Sequence, residues 1–295
     1  LRIDAPTGHP LTIDLETDAE LAAYLYTTNG SQLGQANRAH AFHLDASNAQ
    51  PVMAAIVRNG ANTGSWTLST HTNAIPFYLQ VPPADWPAEL IARSNLFPNT
   101  DFGYVFVPEN HAGSANRLIG NLNPALHVLK IAIARMNSTS PTAQPLFFCN
   151  GGPGDSGIRC AYQYFLKART DEYDVYLIDQ RGIGYSQPDV SFSGKEDPSA
   201  MQYRLSMLQE SDLSTINTLE SSYDLDDLAA AFALADVNLH GVSYGTLLAQ
   251  TLMRREPAWL RAVILDGVVA ANIPILSQRG PIRNDALNAL FDDIS

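Results

Sequence analysis

The stretch that most constrains this chain joins a predicted strand to a predicted helix through a very short turn. Residues 241–245 read Gly-Val-Ser-Tyr-Gly, which fits the pattern G-x-S-x-G. The apolar run at 237–239 predicts a buried strand, and residues 247–253 have the composition of a helix. In that context only small residues fit two positions either side of the serine, whose hydroxyl is lifted clear of the sheet. Ser243 is therefore the candidate nucleophile, and the N–H of Tyr244 points at an incoming carbonyl oxygen.

A glycine-rich loop provides the second constraint. Residues 150–154 read Asn-Gly-Gly-Pro-Gly and follow another apolar run at 145–149. Glycines just after a strand let backbone N–H groups approach a ligand closely. A nucleophilic serine in this kind of turn needs a second hydrogen-bond donor for the oxyanion, supplied by the loop after an earlier strand. The loop at 150–154 is the candidate source of that donor.

The same loop contains a misleading sequence. Residues 154–157 read Gly-Asp-Ser-Gly, as around the nucleophile of trypsin-like proteases. That fold is an all-β double barrel in which the histidine and the aspartate both precede the serine. Here a helix is predicted to begin near Ile158, between predicted strands. We therefore expect Ser156 to help cap that helix and not to act as a nucleophile.

Composition excludes several kinds of partner. An apolar content of 45% and a charged content of 16% are typical of a globular protein. The net charge of −12 argues against nucleic-acid binding, which requires a basic patch, and against adhesion to anionic membranes. No apolar run approaches the roughly 18 residues of a membrane span. The scattered histidines form no H-E-x-x-H pattern, so neither a metal nor a cofactor is expected.

Two further features of composition concern the compartment and the cysteines. Arginine far outnumbers lysine, and Asn, Gln, Ser and Thr are plentiful, which favours an extracellular or periplasmic protein. Cys149 ends a predicted core strand, where a buried free thiol is common. A disulfide from Cys149 to Cys160 across the glycine-rich loop remains an alternative.

The pattern along the chain divides it into two regions. Short alternating segments separated by turn clusters predict a small β-rich module over residues 1–95, with a boundary at 82–87. From residue 96 to residue 295, apolar strands alternate with helices, which predicts a mostly parallel sheet covered on both faces. This region opens with two strands that are predicted to pair in antiparallel. The later helices are predicted at 158–168, 224–235 and 247–253.

Five motifs in this order resemble a known family, the α/β-hydrolase fold serine peptidases that include the prolyl and tripeptidyl aminopeptidases. The motifs are Phe-Gly-Tyr-Val-Phe-Val-Pro at 102–108, Asn-Gly-Gly-Pro-Gly-Asp-Ser-Gly at 150–157, Asp-Gln-Arg-Gly-Ile-Gly-Tyr-Ser at 179–186, Gly-Val-Ser-Tyr-Gly at 241–245 and Leu-Asp-Gly-Val-Val at 265–269. The exported, tripeptidyl branch is the more similar one. The resemblance covers about residues 100–270 and leaves residues 1–95 unexplained.

The resemblance implies roles for particular residues. Ser243 would be the nucleophile, and the backbone N–H groups of Gly152 and Tyr244 would form the oxyanion hole. Asn150 stands where prolyl aminopeptidases often have histidine. The resemblance implies a peptide or small acyl substrate and no cofactor. It does not identify the residues that bind the substrate.

Asp179 and Arg181 belong to the third motif, beside the expected site. The resemblance implies that they shape a turn there. A structural ion pair and turn is the favoured interpretation of both residues, ahead of a catalytic role.

The rest of a catalytic triad is not evident. In this fold the order along the chain is serine, acid, histidine, and no histidine follows Ser243. Asp266 as the acid and His240 as the base are weaker alternatives. We therefore expect an α/β-hydrolase fold that is incomplete at its C-terminal side, completed by a C-terminal segment or a second chain, and little activity from this chain alone.

Three functions remain open at this stage. The leading one is a serine hydrolase that removes residues or short peptides from the N-termini of peptides. The second is an esterase or other acyl hydrolase on the same scaffold, since fold does not fix substrate. The third is a non-catalytic binding protein that retains the fold.

Overall fold

The structure is a computed structural model that describes residues 2–3, 11–17, 21–27, 32–37, 41–44, 52–58, 66–71, 75–93, 99–111, 126–160, 172–190 and 212–272. Its strands are Arg2–Ile3 (β1), Leu11–Thr17 (β2), Leu21–Thr27 (β3), Gln32–Asn37 (β4), Ala41–Leu44 (β5), Val52–Arg58 (β6), Trp66–His71 (β7), Phe77–Gln80 (β8), Thr100–Pro108 (β9), Leu126–Met136 (β10), Gln144–Cys149 (β11), Tyr173–Ile178 (β12), Val237–Val242 (β13) and Leu260–Asp266 (β14). Among the described residues its α-helices are Ala88–Arg93 (α1), Thr218–Ala231 (α2) and Tyr244–Met253 (α3), and a further helix begins at Gly157.

The centre of the molecule is a mixed sheet in which β14, β13, β11, β12 and β10 lie side by side in that order. Strand β11 is parallel to β12 and β13, and β13 is parallel to β14. Strand β10 pairs with β9 and β12 in antiparallel. Parallel neighbours need crossover connections, and α2 and α3 lie in the chain segments before and after β13. The predicted mostly parallel α/β sheet and its antiparallel entry pair are confirmed.

Alternating side chains of these strands build an apolar core on each face of the sheet. In β11, Phe147 and Cys149 face one core, while Leu146 and Phe148 face the other. The first core is closed by buried side chains of α2 and α3, namely Leu225, Leu228, Ala229, Leu248, Ala249 and Leu252. The second core is closed by Ile158, in a helix that begins at Gly157, and by Leu90 of α1. Helices therefore cover both faces, which fixes the sheet as a rigid support for the loops at its edge.

The described part of residues 1–71 consists of strands, and they form two sets. One is a four-stranded sheet in the order β1-β6-β3-β4. The other set, β5, β2 and β7, is joined to the central sheet because β5 pairs in antiparallel with the first residues of β10. Strand β8, which the sequence pattern assigned to the N-terminal module, pairs with β9, and the ring of Phe77 stacks on Phe106 with centroids 4.6 Å apart. Backbone pairing thus connects the two regions, and a domain boundary near residue 95 stays a prediction.

Helix α2 differs from its prediction. It begins at Thr218, six residues before the predicted start at 224, because the side chain of Asn217 accepts a hydrogen bond from the N–H of Glu220 at 2.9 Å and caps the helix. Its first turn is mostly polar and its one apolar side chain, Leu219, is exposed, so apolar periodicity did not indicate it. The predicted helix at 158–168 lies beyond the described residues after Cys160. Within the described ranges, no helix has the length and apolar character needed to cross a membrane.

Candidate active site

Ser243 lies at the sharp turn between β13 and α3. Its backbone has φ 52° and ψ −117°, a positive φ that is uncommon outside glycine and costs about 1–3 kcal/mol. The side chain of Ser243 is exposed, although Val242 before it and Gly245 and Thr246 after it are buried. The turn therefore presents the hydroxyl to solvent from a rigid base.

The two glycines of the turn are required by close backbone contacts. A Cβ on Gly245 would lie 2.1 Å from the carbonyl oxygen of Cys149, and a Cβ on Gly241 would lie 2.4 Å from the carbonyl oxygen of Gly245. Both oxygens belong to the main chain, so neither contact can be relieved by a side-chain movement. Helix α3 consequently packs directly against the end of β11.

Three hydrogen bonds hold the turn in place. The N–H of Ser243 donates to the carbonyl of Asp266 at 2.8 Å, which ties the turn to the end of β14. The hydroxyl of Thr246 donates to the carbonyl of Ser243 at 2.6 Å and accepts from the N–H of Val269 at 2.8 Å. The strained backbone of Ser243 is thus fixed from both sides.

The glycine-rich loop lies against Ser243. A Cβ on Gly151 would be 2.7 Å from the Cβ of Ser243 and 3.3 Å from its Oγ, so only glycine allows this approach. Gly152 follows with φ 110° and is exposed. The loop is fixed from below because the carbonyl of Asn150 accepts a hydrogen bond from Gln180 at 3.3 Å. The two motifs that the sequence analysis singled out therefore meet at one place.

Ser156 is a buried capping residue. Its hydroxyl donates to Oδ1 of Asp179 at 2.6 Å and accepts from the N–H of Arg159 at 3.0 Å. A bond to an N–H three residues ahead is the N-cap bond of a helix. The predicted capping role is confirmed, and a hydroxyl bound to a buried carboxylate is not presented to a substrate.

Asp179 organises the loop and the turn around it. Its fully buried carboxylate accepts hydrogen bonds from Ser156 and from the N–H groups of Ile158 at 3.0 Å and Tyr185 at 2.8 Å. Burial raises the pKa of Asp179, and these hydrogen bonds oppose the rise. A Cβ on Gly184 would lie 2.1 Å from Oδ2 of Asp179, which explains the glycine there. These contacts shape the turn, which is the role expected of Asp179.

Arg181 is buried, and each of its N–H groups has an acceptor. Nε and Nη2 bind both carboxylate oxygens of Asp224 at 2.8 and 2.6 Å, and Nη2 also reaches the carbonyl of Pro108 at 3.3 Å. Nη1 donates to the carbonyls of Glu109 at 2.8 Å and Thr215 at 3.1 Å. A guanidinium has five N–H donors, so all are satisfied. Arg181 therefore joins the end of β9 to α2, as a structural ion pair.

His240 and Asp266, the two weaker triad alternatives, lie near each other. Nε2 of His240 is 3.9 Å from Oδ2 of Asp266, and the His240 ring packs edge-on against Phe148. Burial lowers the pKa of His240, and the charge of Asp266 opposes this. Among the described residues, no histidine is hydrogen-bonded to Oγ of Ser243.

A partly buried charged cluster was missed by the sequence analysis. The ring of His111, just after β9, lies against Glu220, Asp224 and Asp227 of α2, and Arg181 binds the same helix. Spacings of four and three residues place these acids on one face of a helix. That spacing was visible in the sequence, but nothing there indicated that His111 would meet it.

The cysteines form no disulfide. Cys149 and Cys160 are both free, and Cys149 is buried at the end of β11. The expected free thiol is confirmed, and the alternative disulfide is wrong. Burial raises the pKa of Cys149, so its thiol stays protonated and apolar at neutral pH.

Comparisons with known proteins agree with this geometry. Residues 144–288 match the family described as the alpha/beta hydrolase fold. The chain is 27% identical over 215 residues to the tripeptidyl aminopeptidases of Streptomyces coelicolor and Streptomyces lividans, which covers 63% of this chain and 38% of each of those proteins. It is 25% identical over 172 residues to the serine protease Hip1 of Mycobacterium tuberculosis, which covers 49% of this chain and 33% of that protein.

The matched stretch thus spans less than two fifths of the length of these curated relatives. Its position coincides with the motifs, since the family match begins with β11 and includes the glycine-rich loop and the Ser243 turn. The resemblance to peptidases of this fold is confirmed. Over residues 144–288, just under half of its length, the chain is similar to the α/β hydrolase fold family.

Proposed function

We propose that this protein is a serine hydrolase that removes single residues or short peptides from the N-termini of peptides, with Ser243 as its nucleophile. The observation that carries the proposal is the exposed hydroxyl on a strained backbone, with Gly151 packed against the Ser243 side chain. Backbone strain of this kind clusters at functional sites. The names of the relatives, tripeptidyl aminopeptidase and serine protease, support peptide substrates.

Main-chain groups supply the oxyanion hole in this proposal. Tyr244 is the first residue of α3, and the first N–H groups of a helix have no acceptor within the helix. The helix dipole adds partial positive charge at the same point. Gly152 offers the second N–H from the loop that touches Ser243. One donor of this type is worth about 2.7–4 kcal/mol of transition-state stabilisation.

We further propose that the acid and the histidine of the triad come from polypeptide outside these 295 residues. No histidine follows Ser243 in the sequence, and the catalytic order of this fold is serine, acid, histidine. The two histidine side chains that the structure describes are engaged elsewhere, His111 with α2 and His240 beside Asp266. Without a base the Ser243 hydroxyl keeps its ordinary, weak nucleophilicity.

The nucleophile is tested with a fluorophosphonate probe on a longer polypeptide that carries the downstream residues of the gene. Mass spectrometry should find Ser243 as the modified serine, and Ser243→Ala should abolish labelling. Ser214→Ala is the matched control, because Ser214 is an exposed serine on the described surface, and its loss should leave labelling unchanged. Labelling that persists in Ser243→Ala contradicts the assignment.

Substrate class and the missing triad members are tested by turnover. The longer polypeptide should hydrolyse tripeptidyl p-nitroanilides in a Ser243-dependent manner, whereas an esterase would turn over p-nitrophenyl esters and leave the anilides intact. The 295-residue chain alone should turn over either substrate only slowly. Rapid Ser243-dependent turnover by that chain would show that acid and base lie within it, and His240→Gln and Asp266→Asn would then be the first variants to assay.

A further inference from the structure

We propose that protonated His111 is a positioning residue that fastens the first turns of α2 to the end of β9. It thereby holds the side chain of Tyr244, the residue directly after Ser243. The inference rests on the proposed function only in its last link, which is the role of Tyr244. The fastening itself follows from the contacts of the cluster.

Both ring nitrogens of His111 meet carboxylate oxygens. Nδ1 lies 2.6 Å from Oε2 of Glu220, and Nε2 lies 3.0 Å from Oδ2 of Asp227. The backbone N–H of His111 also donates to Oε2 of Glu220, at 3.1 Å. An ionised carboxylate only accepts hydrogen bonds, whereas a neutral imidazole has a single N–H donor. The geometry is satisfied when His111 carries both ring protons.

The charges around the ring favour the same state. From α2, Glu220, Asp224 and Asp227 face His111, and the neutral ring of Tyr223 stacks on it with centroids 5.1 Å apart. From the turn after β12, Arg181 supplies the cation that binds Asp224. Three carboxylates thus face one guanidinium, and a proton on His111 relieves part of the excess negative charge.

Among the described residues, two further charged groups lie near the cluster. Glu109, next to the cluster at the end of β9, accepts from the N–H of Asp212 at 2.7 Å. Arg255 lies over the ring of Tyr223, 3.9 Å from its centroid, and is paired with Asp226. In the part of the chain that the structure describes, the charged groups in contact with the His111 ring are Glu220, Asp224 and Asp227.

A proton, not a metal ion, is the occupant that these residues favour. Donor atoms of His111, Asp224 and Asp227 lie within 4.8 Å of one another, a spacing that a cation can bridge. Both oxygens of Asp224 are already bound by Arg181, however, and the guanidinium charge opposes a second cation beside them. A shared proton between Nε2 of His111 and Oδ2 of Asp227 needs neither oxygen of Asp224.

The cluster reaches the catalytic turn through the start of α2. Thr218 is the first residue of α2, and its Oγ1 lies 2.7 Å from the ring hydroxyl of Tyr244. Glu220 of the cluster lies in the same first turn as Thr218, and Asp224 lies in the next turn. Loss of the His111 charge leaves these acids facing each other and loosens the turn that holds Thr218, so Tyr244 loses its partner.

The raised pKa of His111 determines how the stability of this cluster changes with pH. Burial lowers the pKa of His111, but the hydrogen bonds to Asp227 and Glu220 and the charge of Asp224 raise it above its ordinary value of 6.5. Burial also raises the pKa of Asp227, so the proton of this pair is held more tightly overall. A raised histidine pKa contributes stability that is fully present below 6.5 and is lost as pH rises through the folded value. A folded-state pKa that is higher by one than the unfolded-state pKa corresponds to a tenfold change in the folding equilibrium.

Two measurements on the 295-residue chain test the fastening without reference to activity. NMR titration, assigned with His111→Gln, should show the His111 ring titrating above 6.5. Hydrogen exchange of residues 217–222, corrected for intrinsic rates, should accelerate about tenfold between about pH 6 and about pH 9 in the wild type. His111→Gln should exchange fast at both pH values, and His111→Lys, whose charge does not titrate in this range, should stay protected at both.

A third measurement tests the link to the nucleophile. Thr218→Val removes the hydroxyl that meets Tyr244 and leaves the ion pairs intact, so it should slow fluorophosphonate labelling of Ser243 several-fold in the longer polypeptide without moving the His111 titration. If Ser243 is not labelled at all, the proposed function fails, while titration and exchange still decide the fastening. A His111 pKa at or below 6.5, equal exchange in wild type and His111→Gln, or a Zn²⁺-induced rise in Tm that His111→Gln abolishes would each overturn the inference.

Discussion

At the scale of single residues, the described site is shaped mainly by the absence of side chains. At three glycines an added Cβ would clash with a neighbour. The neighbour is a main-chain oxygen for Gly241 and Gly245, and the side chain of Ser243 for Gly151. The sequence indicated Gly241 and Gly245 because the pattern G-x-S-x-G requires small residues there, and it indicated Gly151 as part of the glycine-rich loop at 150–154. Asp179 is different, since its importance lies in three hydrogen bonds that come from separate parts of the chain.

The first stability prediction concerns Asp179→Asn. An asparagine amide would turn a donor toward Ser156 and Ile158 or toward Tyr185, where all three groups already donate. We expect the free energy of unfolding to fall by about 2–3 kcal/mol, as for a buried polar group left unsatisfied. Urea unfolding monitored by circular dichroism measures this. Asp155→Asn, an exposed change in the same loop, should alter stability by less than about 0.5 kcal/mol; equal losses in the two variants would refute the role given to Asp179.

At the scale of elements, α2 connects more of the described structure than any motif suggested. Its first residue meets Tyr244, its acids bind Arg181 and His111, and its apolar side chains close one core. The helix was predicted from the apolar residues of its second half, and its polar first turn was assigned to a loop. Capping by Asn217 decides where it begins.

The prediction at this scale therefore concerns the cap. Asn217→Ala removes the acceptor for the N–H of Glu220 and should lower stability by about 1 kcal/mol. Asn217→Asp keeps the acceptor and loses only the exposed hydrogen bond from Nδ2 to the carbonyl of Ser214, so it should retain most of the stability. Thermal unfolding of the three proteins gives the comparison. If the alanine and aspartate variants unfold together, the side chain of Asn217 does not cap α2.

The sequence predicted the elements of this fold better than it predicted their contacts. Strands β9 to β14 and helix α3 were expected because apolar runs and the G-x-S-x-G pattern are local signals. The Ser243 turn and the glycine-rich loop were expected to converge because each has a fixed place in one resembled fold. The ion pairs of His111 were not expected, since they join residues more than about one hundred positions apart and no local pattern encodes such a pairing.

At the scale of the whole molecule, β14 is the outer strand of the described sheet and has two unlike faces. Val263 and Leu265 pack against the core, while Ile264 on the other face is 54% exposed. An exposed apolar face on an edge strand favours association with further polypeptide. The proposal that the triad is completed from outside these 295 residues requires such a face to be covered.

A pair of substitutions tests this. In the 295-residue chain, Val263→Thr should lower the free energy of unfolding by about 1–2 kcal/mol because it places a hydroxyl against the core. Ile264→Thr should change it by less than about 0.5 kcal/mol, since the side chain is already exposed. In the longer polypeptide Ile264→Thr should become as costly as Val263→Thr. Denaturant unfolding in both contexts measures the difference, and an Ile264→Thr effect that is small in both would show that nothing covers this face.

At position 243, selection for stability and selection for activity favour different residues. Folding alone would place glycine at position 243, because a φ of 52° is free of strain only in a residue without a Cβ. Serine there makes the native state less stable than the same chain could be. A variant library screened for thermal stability would therefore drift toward glycine at this position and lose the hydroxyl. A library screened for activity would keep serine at the lower stability.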